Sequence, residues 1–245
     1  MCSITAPLKS QHSHAAVSEG APRTSKAALK EMGIGLDSGS LKAALGNSDA
    51  YIRGLAAMAL ASSQDTSAAS DIEVAMLKEK DPYSRLKMAG SLFTLDSSSG
   101  LHYMTDICQG PQTAKGIRLN AASALMILDR NGISASACVP QLFSFLKDEQ
   151  NPLYQTNALS LLNSYRSKLK PAEVEMLRQE SLKNVTSRDF GLKAASVHSL
   201  IADDSPEAKI ALQRAVGEKT NPADQKFMRD VMEKSARPQK SPPQP

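Results

Sequence analysis

Residues 47–60, NSDAYIRGLAAMAL, and residues 80–92, KDPYSRLKMAGSL, carry matching side chains at matching offsets. Asp49, Arg53, Ala56, Ala57 and Leu60 in the first answer to Asp81, Arg85, Met88, Ala89 and Leu92 in the second. Downstream the frame returns as Arg118, Ala121, Ala122 and Leu125, then as Asn151, Gln155, Ala158, Leu159 and Leu162. It returns again as Asp189, Lys193, Val197 and Leu200, and lastly as Asn221, Gln225, Met228 and Met232. Measured at the Arg-equivalent position, the steps from 53 to 85, 118, 155, 193 and 225 are 32, 33, 37, 38 and 32 residues. Self-similarity at a period of a few tens of residues is the mark of a repeat architecture.

Within each unit the apolar residues three, four and seven positions after the Arg-equivalent share one stripe of a 3.6-residue helix, which makes that stripe the buried face. The Asp or Asn four positions before it suits an N-cap, and Pro82, Pro152 and Pro222 follow directly at the first helical position. In the third unit GPQTAKGIR departs from this pattern, and Thr113 is the expected cap. A first helix is expected ahead of each of these, over 40–45, 67–78, 98–108, 135–146, 172–182 and 206–216. Residues 24–32, TSKAALKEM, supply a short helix over one end, and Arg229, standing where earlier units have Ala57, Ala89, Ala122 and Leu159, marks the other end as a polar cap. A single hairpin cannot bury its stripe alone, so about six are expected to stack into an all-α curved rod, with unequal loops absorbing the scatter in step length.

Composition supports thin helical layers. The 245 residues are 41% hydrophobic but only 4% aromatic and contain no Trp. Residues 1–22 and the Pro-rich 237–245 lack periodicity and read as disordered tails flanking a helical domain over 23–236. The net charge is +4 and its signs are interspersed, which argues against nucleic acid as a partner. No apolar run approaches the ~20 residues that span a bilayer, so no membrane partner is expected. The opening MCSITAPLKSQHSH shows no secretory pattern, and nothing resembling a lipid-attachment signal precedes Cys2, which makes the cytoplasm the expected location. Cys2, Cys108 and Cys138 are odd in number and irregular in spacing. Cys108 and Cys138 are therefore expected as buried free thiols, with redox sensing the lesser alternative since both fall in first helices of successive units.

The recurring D-x-x-x-R-x-x-A-A-x-x-L resembles HEAT-like repeats, particularly the short bacterial kind also found in phycobilisome-lyase-type proteins. The resemblance covers about residues 38–235 and weakens where Gln155, Lys193 and Gln225 replace Arg. It implies a right-handed α-solenoid, armadillo-like in layout, whose second helices line a concave side that binds other macromolecules. Enzymes of similar architecture depend on residues that can be sought in this sequence. Those resembling deoxyhypusine hydroxylase hold iron through His-Glu pairs, and none of His12, His14, His102 and His198 is followed by a carboxylate. Those resembling alkylpurine glycosylases grip DNA with Trp. A bilin lyase has no short motif to test.

No catalytic residues, cofactor or metal site are therefore expected; His12 and His14 read as solvated tail residues. Asp49, Arg53, Asp81, Arg85 and Arg118 are explained by the repeat, as caps and as bridges between stacked units. The functional candidate is the solvent-facing row two and five residues after each Arg-equivalent. It runs from Leu55 and Met58 through Lys87, Gly90, Asn120, Ser123, Asn157, Ser160, Ala195 and His198 to Phe227 and Asp230. Nearly neutral, with amides and hydroxyls in its middle, the row suits a protein or peptide better than phosphates, and equally suits a wall of small solvated residues. The expected role is a non-enzymatic, monomeric scaffold or adaptor binding a protein partner through Lys87, Asn120, Ser123, Asn157, Ser160 and His198. The alternative is a lyase-like or chaperone-like protein acting on a tetrapyrrole-bearing subunit.

Overall fold

A computed structural model of the chain describes residues 24–128, 135–147, 151–217 and 222–236. Among them every regular element is a helix. The tails over 1–22 and 237–245, with Cys2, His12 and His14, lie outside the described residues, as does Asn221.

The chain opens with α1 (Ser25–Glu31), capped by Thr24, whose hydroxyl accepts from the Ala27 amide at 3.2 Å. Hairpins follow in order: α2 (Ser38–Ala44) with α3 (Ala50–Ser62), α4 (Ala69–Lys78) with α5 (Pro82–Leu95), and α6 (Ser97–Gln109) with α7 (Lys115–Leu128). They continue as α8 (Val139–Leu146) with α9 (Pro152–Ser164), α10 (Pro171–Asn184) with α11 (Phe190–Asp203), and α12 (Pro206–Gly217) with α13 (Pro222–Ala236). The expected starts of the second helices hold because their signals are local. Asp49 accepts from the Tyr51 amide at 2.8 Å, Asp81 from Ser84 at 2.7 Å, Asn151 from Leu153 at 3.1 Å and Asp189 from Leu192 at 2.8 Å. Each satisfies an amide that a helix N-terminus otherwise leaves without a partner. Helix α7 is the departure: it begins at Lys115, and the Ala114 carbonyl accepts from the Arg118 amide at 3.1 Å, one residue beyond the expected cap Thr113.

The second helices contact one another in chain order, α3 to α5, α5 to α7, α7 to α9, α9 to α11 and α11 to α13, and each also contacts its own first helix. The contact surface is the stripe read from the sequence. Ala56, Ala57, Leu60, Met88, Ala89, Ala121, Ala122, Leu125, Ala158, Leu159 and Leu162 are all fully buried, and Leu92 nearly so. Alanines on this stripe let neighbouring helix backbones approach. Each buried Leu or Met adds about 1.5–3 kcal/mol of transfer free energy. Ser196 takes the corresponding buried place on α11 and turns its hydroxyl to the Leu192 carbonyl at 2.8 Å, so that hydroxyl is not stranded. One core cluster extends from Ala28 to Ala195, and a second gathers Val185, Val197, Leu200, Ala208, Leu212 and Ala215. Arg229 is exposed, on the last helix.

Step length is set partly by helices and not by loops alone. The 38-residue step and the first 32-residue step each contain a three-residue 3₁₀ turn, but α10 in the former has 14 residues and α4 in the latter has 10. At the α5–α6 corner the chain turns so tightly that a methyl on Gly100 would lie 2.0 Å from the Phe93 nitrogen. Only a residue without Cβ fits there.

Candidate functional site

The charged positions of the repeat act within and between hairpins in ways the offsets alone did not specify. Arg53 donates through Nη1 to the Asn47 and Ser48 carbonyls at 2.8 and 3.0 Å, in the link that joins α2 to α3. Gln155 takes the equivalent place and donates to the Leu146 carbonyl at the end of α8, at 3.0 Å. A helix C-terminus leaves carbonyls without donors, and this position supplies one, which explains why Gln substitutes for Arg.

The bridge between units is not Arg to the following cap Asp. Arg53 reaches Glu79 in the next unit, Nε to Oε2 at 2.7 Å and Nη2 to Oε1 at 2.6 Å, and Glu79 also accepts from the Asp81 amide at 2.9 Å. The Arg53 hydrogen bond, opposing the effect of burial, holds the Glu79 carboxyl down at about 2. Arg118 donates to Gln141 at 3.0 Å and lies over the Phe145 ring. Arg85 is exposed, and its guanidinium makes no hydrogen bond or ion pair among the described residues, so the ladder expected over Asp49, Arg53, Asp81, Arg85 and Arg118 is not regular. Farther along, the buried Asp203 carboxylate joins two arginines, accepting from Arg178 Nε at 2.9 Å and from Arg166 Nη2. Burial pushes Asp203 up, but hydrogen bonding from Ser205 and Arg178 and the charges of both arginines outweigh it and keep its pKa below the ordinary value.

The polar middle of the exposed row is brought together. Asn120, Ser123, Asn157 and Ser160, with Leu119 and Leu161, line one depression of about 300 Å³ between α7 and α9. Asn120, Asn157 and Ser160 are exposed and Ser123 is half-buried. Four polar side chains chosen by repeat offset alone thus face one space.

The ends of the row differ from the expectation. Leu55 and Ala195 are buried in the core cluster and are not part of an exposed face. Lys87 is half-buried and lies over the Tyr51 ring, 4.6 Å from its centroid, a cation–π contact that joins α5 to α3. His198 is exposed, and its ring stands 6.2 Å from that of Phe227, which meets Phe190 edge-on at 5.1 Å.

Sequence reading stopped one helical turn short. Tyr51, Tyr83 and Leu153 stand two residues before the Arg-equivalent, four before the first position of the row, and so share its helical face. They are 51%, 57% and 63% exposed. Extending the offset by one turn toward the N-terminus would have found them. They give the row an apolar margin along the N-terminal ends of α3, α5 and α9.

No family model matches this chain, and no curated protein does either. Its chemistry therefore has to be read from the geometry. A second depression, about 550 Å³, lies between α2 and α4; of its charged walls Lys42 pairs with Asp71 at 3.2 Å and Arg53 with Glu79, while Lys78 and Lys80 add two further cations. Among the described residues no group of three or more His, Cys, Asp and Glu side chains is placed to hold a metal ion, and no helix is long and apolar enough to cross a membrane.

The cysteines correct the reading as free thiols. Cys108, near the end of α6, and Cys138, in a 3₁₀ turn over Ala135–Cys138, are fully buried and joined by a disulfide, with Cα atoms 6.1 Å apart. Stacking of successive hairpins lays the end of α6 against that turn. Spacing in sequence did not disclose this pairing because it arises only once the hairpins stack.

Proposed function

We propose that the chain is a non-enzymatic scaffold whose exposed row on the second helices docks a segment of a protein partner. In this reading the hairpins form a right-handed, HEAT-like α-solenoid, and the row is its concave side. The carrying observation is the depression between α7 and α9, where Asn120, Ser123, Asn157 and Ser160 converge. Carboxamides both donate and accept, so two of them on adjacent helices suit the alternating N–H and C=O groups of an extended backbone. Tyr51, Tyr83 and Leu153 supply apolar area beside the amides, and aromatic side chains are enriched at protein interfaces. Lys87 and His198 bound the row toward its two ends. A polyphosphate partner is disfavoured because the depression itself has no cationic wall.

Affinity capture with the wild type and with Asn120→Arg plus Asn157→Arg tests the reading. The wild type should retain a specific partner that the double variant loses, while Leu77→Arg on α4 retains it. Equal recovery of that partner by the double variant would remove the row from the account.

A further inference from the structure

We infer that the Cys108–Cys138 disulfide is a working part of the docking face and that the oxidised chain is the functional form. The two cysteines are separated by 30 residues, and the ring they close contains the whole of α7, residues 115–128. Helix α7 bears Asn120 and Ser123, one wall of the depression. The bond ties the end of α6 to the 3₁₀ turn ahead of α8, and α7 packs against both. Covalent closure restricts the ways in which α7 can leave its place, because the ring excludes most of the open conformations of the unfolded segment. The effect on binding rests on the docking reading above; the bond itself does not.

Formation of the bond removes one proton from each thiol and two electrons from the pair, which a disulfide oxidant accepts as it is reduced to two thiols. Both sulfur-bearing residues are fully buried once the bond is made. A reducing thiolate must reach a sulfur atom to reverse the reaction, so the buried bond resists exchange and acts as a permanent staple, not a fast switch. Bonds of this type form and persist in oxidising compartments. The protein thus matures where a disulfide oxidant is supplied, in place of the cytoplasmic setting expected from its sequence.

The full chain with Cys2→Ser, which removes the one thiol that glutathione could cap, is reduced, unfolded and refolded with oxidised and reduced glutathione in equal amounts. It is then acid-quenched, unfolded and alkylated with N-ethylmaleimide near neutral pH before its mass is measured. Of three cysteines two then remain, so the oxidised form takes no adduct and the reduced form takes two. No adduct is expected; two would overturn the inference. Hydrogen exchange of Cys108→Ala plus Cys138→Ala supplies the second readout. The α7 amides should exchange about tenfold faster than in the oxidised wild type, with α3 unchanged. Unchanged protection in α7 would overturn its role as a held wall. Neither measurement involves a partner, so failure here is separable from failure of the docking reading, which the Asn120 and Asn157 variants decide.

Discussion

Arg53 closes on Glu79 with two parallel hydrogen bonds of 2.7 and 2.6 Å, linking the first hairpin to the second across 26 residues of chain. The Glu79 side chain is fully buried and that of Arg53 is 21% exposed, so the pair is largely removed from water. Loss of one partner then leaves the other poorly solvated, and this asymmetry outweighs the modest net worth of the intact pair.

Glu79→Ala should destabilise the protein by about 2 kcal/mol at neutral pH, measured by urea unfolding. Glu79 also predicts an acid limb. Its carboxyl stands at about 2 in the folded chain against an ordinary 4.5. The folded state therefore binds fewer protons than the unfolded state between those values. Its contribution is complete above 4.5, declines as the pH falls, and is lost as the pH passes through about 2. Glu79→Gln should flatten this part of the stability profile; an unchanged slope would show that the pair is not formed.

Asp203, at the end of α11, holds together Arg166 of the 3₁₀ turn after α9 and Arg178 of α10. Its carboxylate is 1% exposed, so removing it leaves two guanidinium groups facing each other in a space poor in water. Asp203→Ala should cost about 3 kcal/mol, with the fastest new hydrogen exchange in α10 and α11. Uniform exchange across all hairpins would contradict this local role.

Gln155 tests the assignment of the repeat's donor position. Gln155→Leu keeps its size but leaves the Leu146 carbonyl without the donor now at 3.0 Å. A loss of about 1–2 kcal/mol is expected in thermal unfolding. Gln155→Met should behave similarly, which separates the missing donor from changes in packing.

Much of the fold was legible because its signals are short-range. Asp49, Asp81, Asn151 and Asp189 cap helices through amides two or three residues away, and the stripe from Ala56 to Leu162 needs only the period of a helix. Asn120 and Asn157 were legible together for the same reason, since one repeat offset carries both. The Arg53–Glu79 pair was not, because the equivalent place in the next unit, six before Arg118, holds Gln112 and no carboxylate. Cys108 and Cys138 were mistaken for free thiols because their partnership depends on how α6 meets the following hairpin. Tyr51, Tyr83 and Leu153 follow from the same helical period, but they precede the Arg-equivalent in a stretch whose strongest local signal is the helix cap.

Serial stacking itself predicts a shape. A compact globule of this length would have a radius of gyration of about 18 Å. Six hairpins spaced about 8–10 Å apart give a longer particle, and small-angle X-ray scattering should show a larger radius with a skewed pair-distance distribution. A symmetric distribution at the compact value would exclude the proposed solenoid.

The docking face is tested most directly by a photo-reactive amino acid placed in turn at Asn157, at Tyr83 and at Leu77, followed by irradiation with partner-containing extract and mass spectrometry. The account predicts that Asn157 and Tyr83 form adducts with one and the same protein, through an extended segment of it, while Leu77 forms none. Adducts of that protein from Leu77, with none from Asn157 or Tyr83, would contradict it.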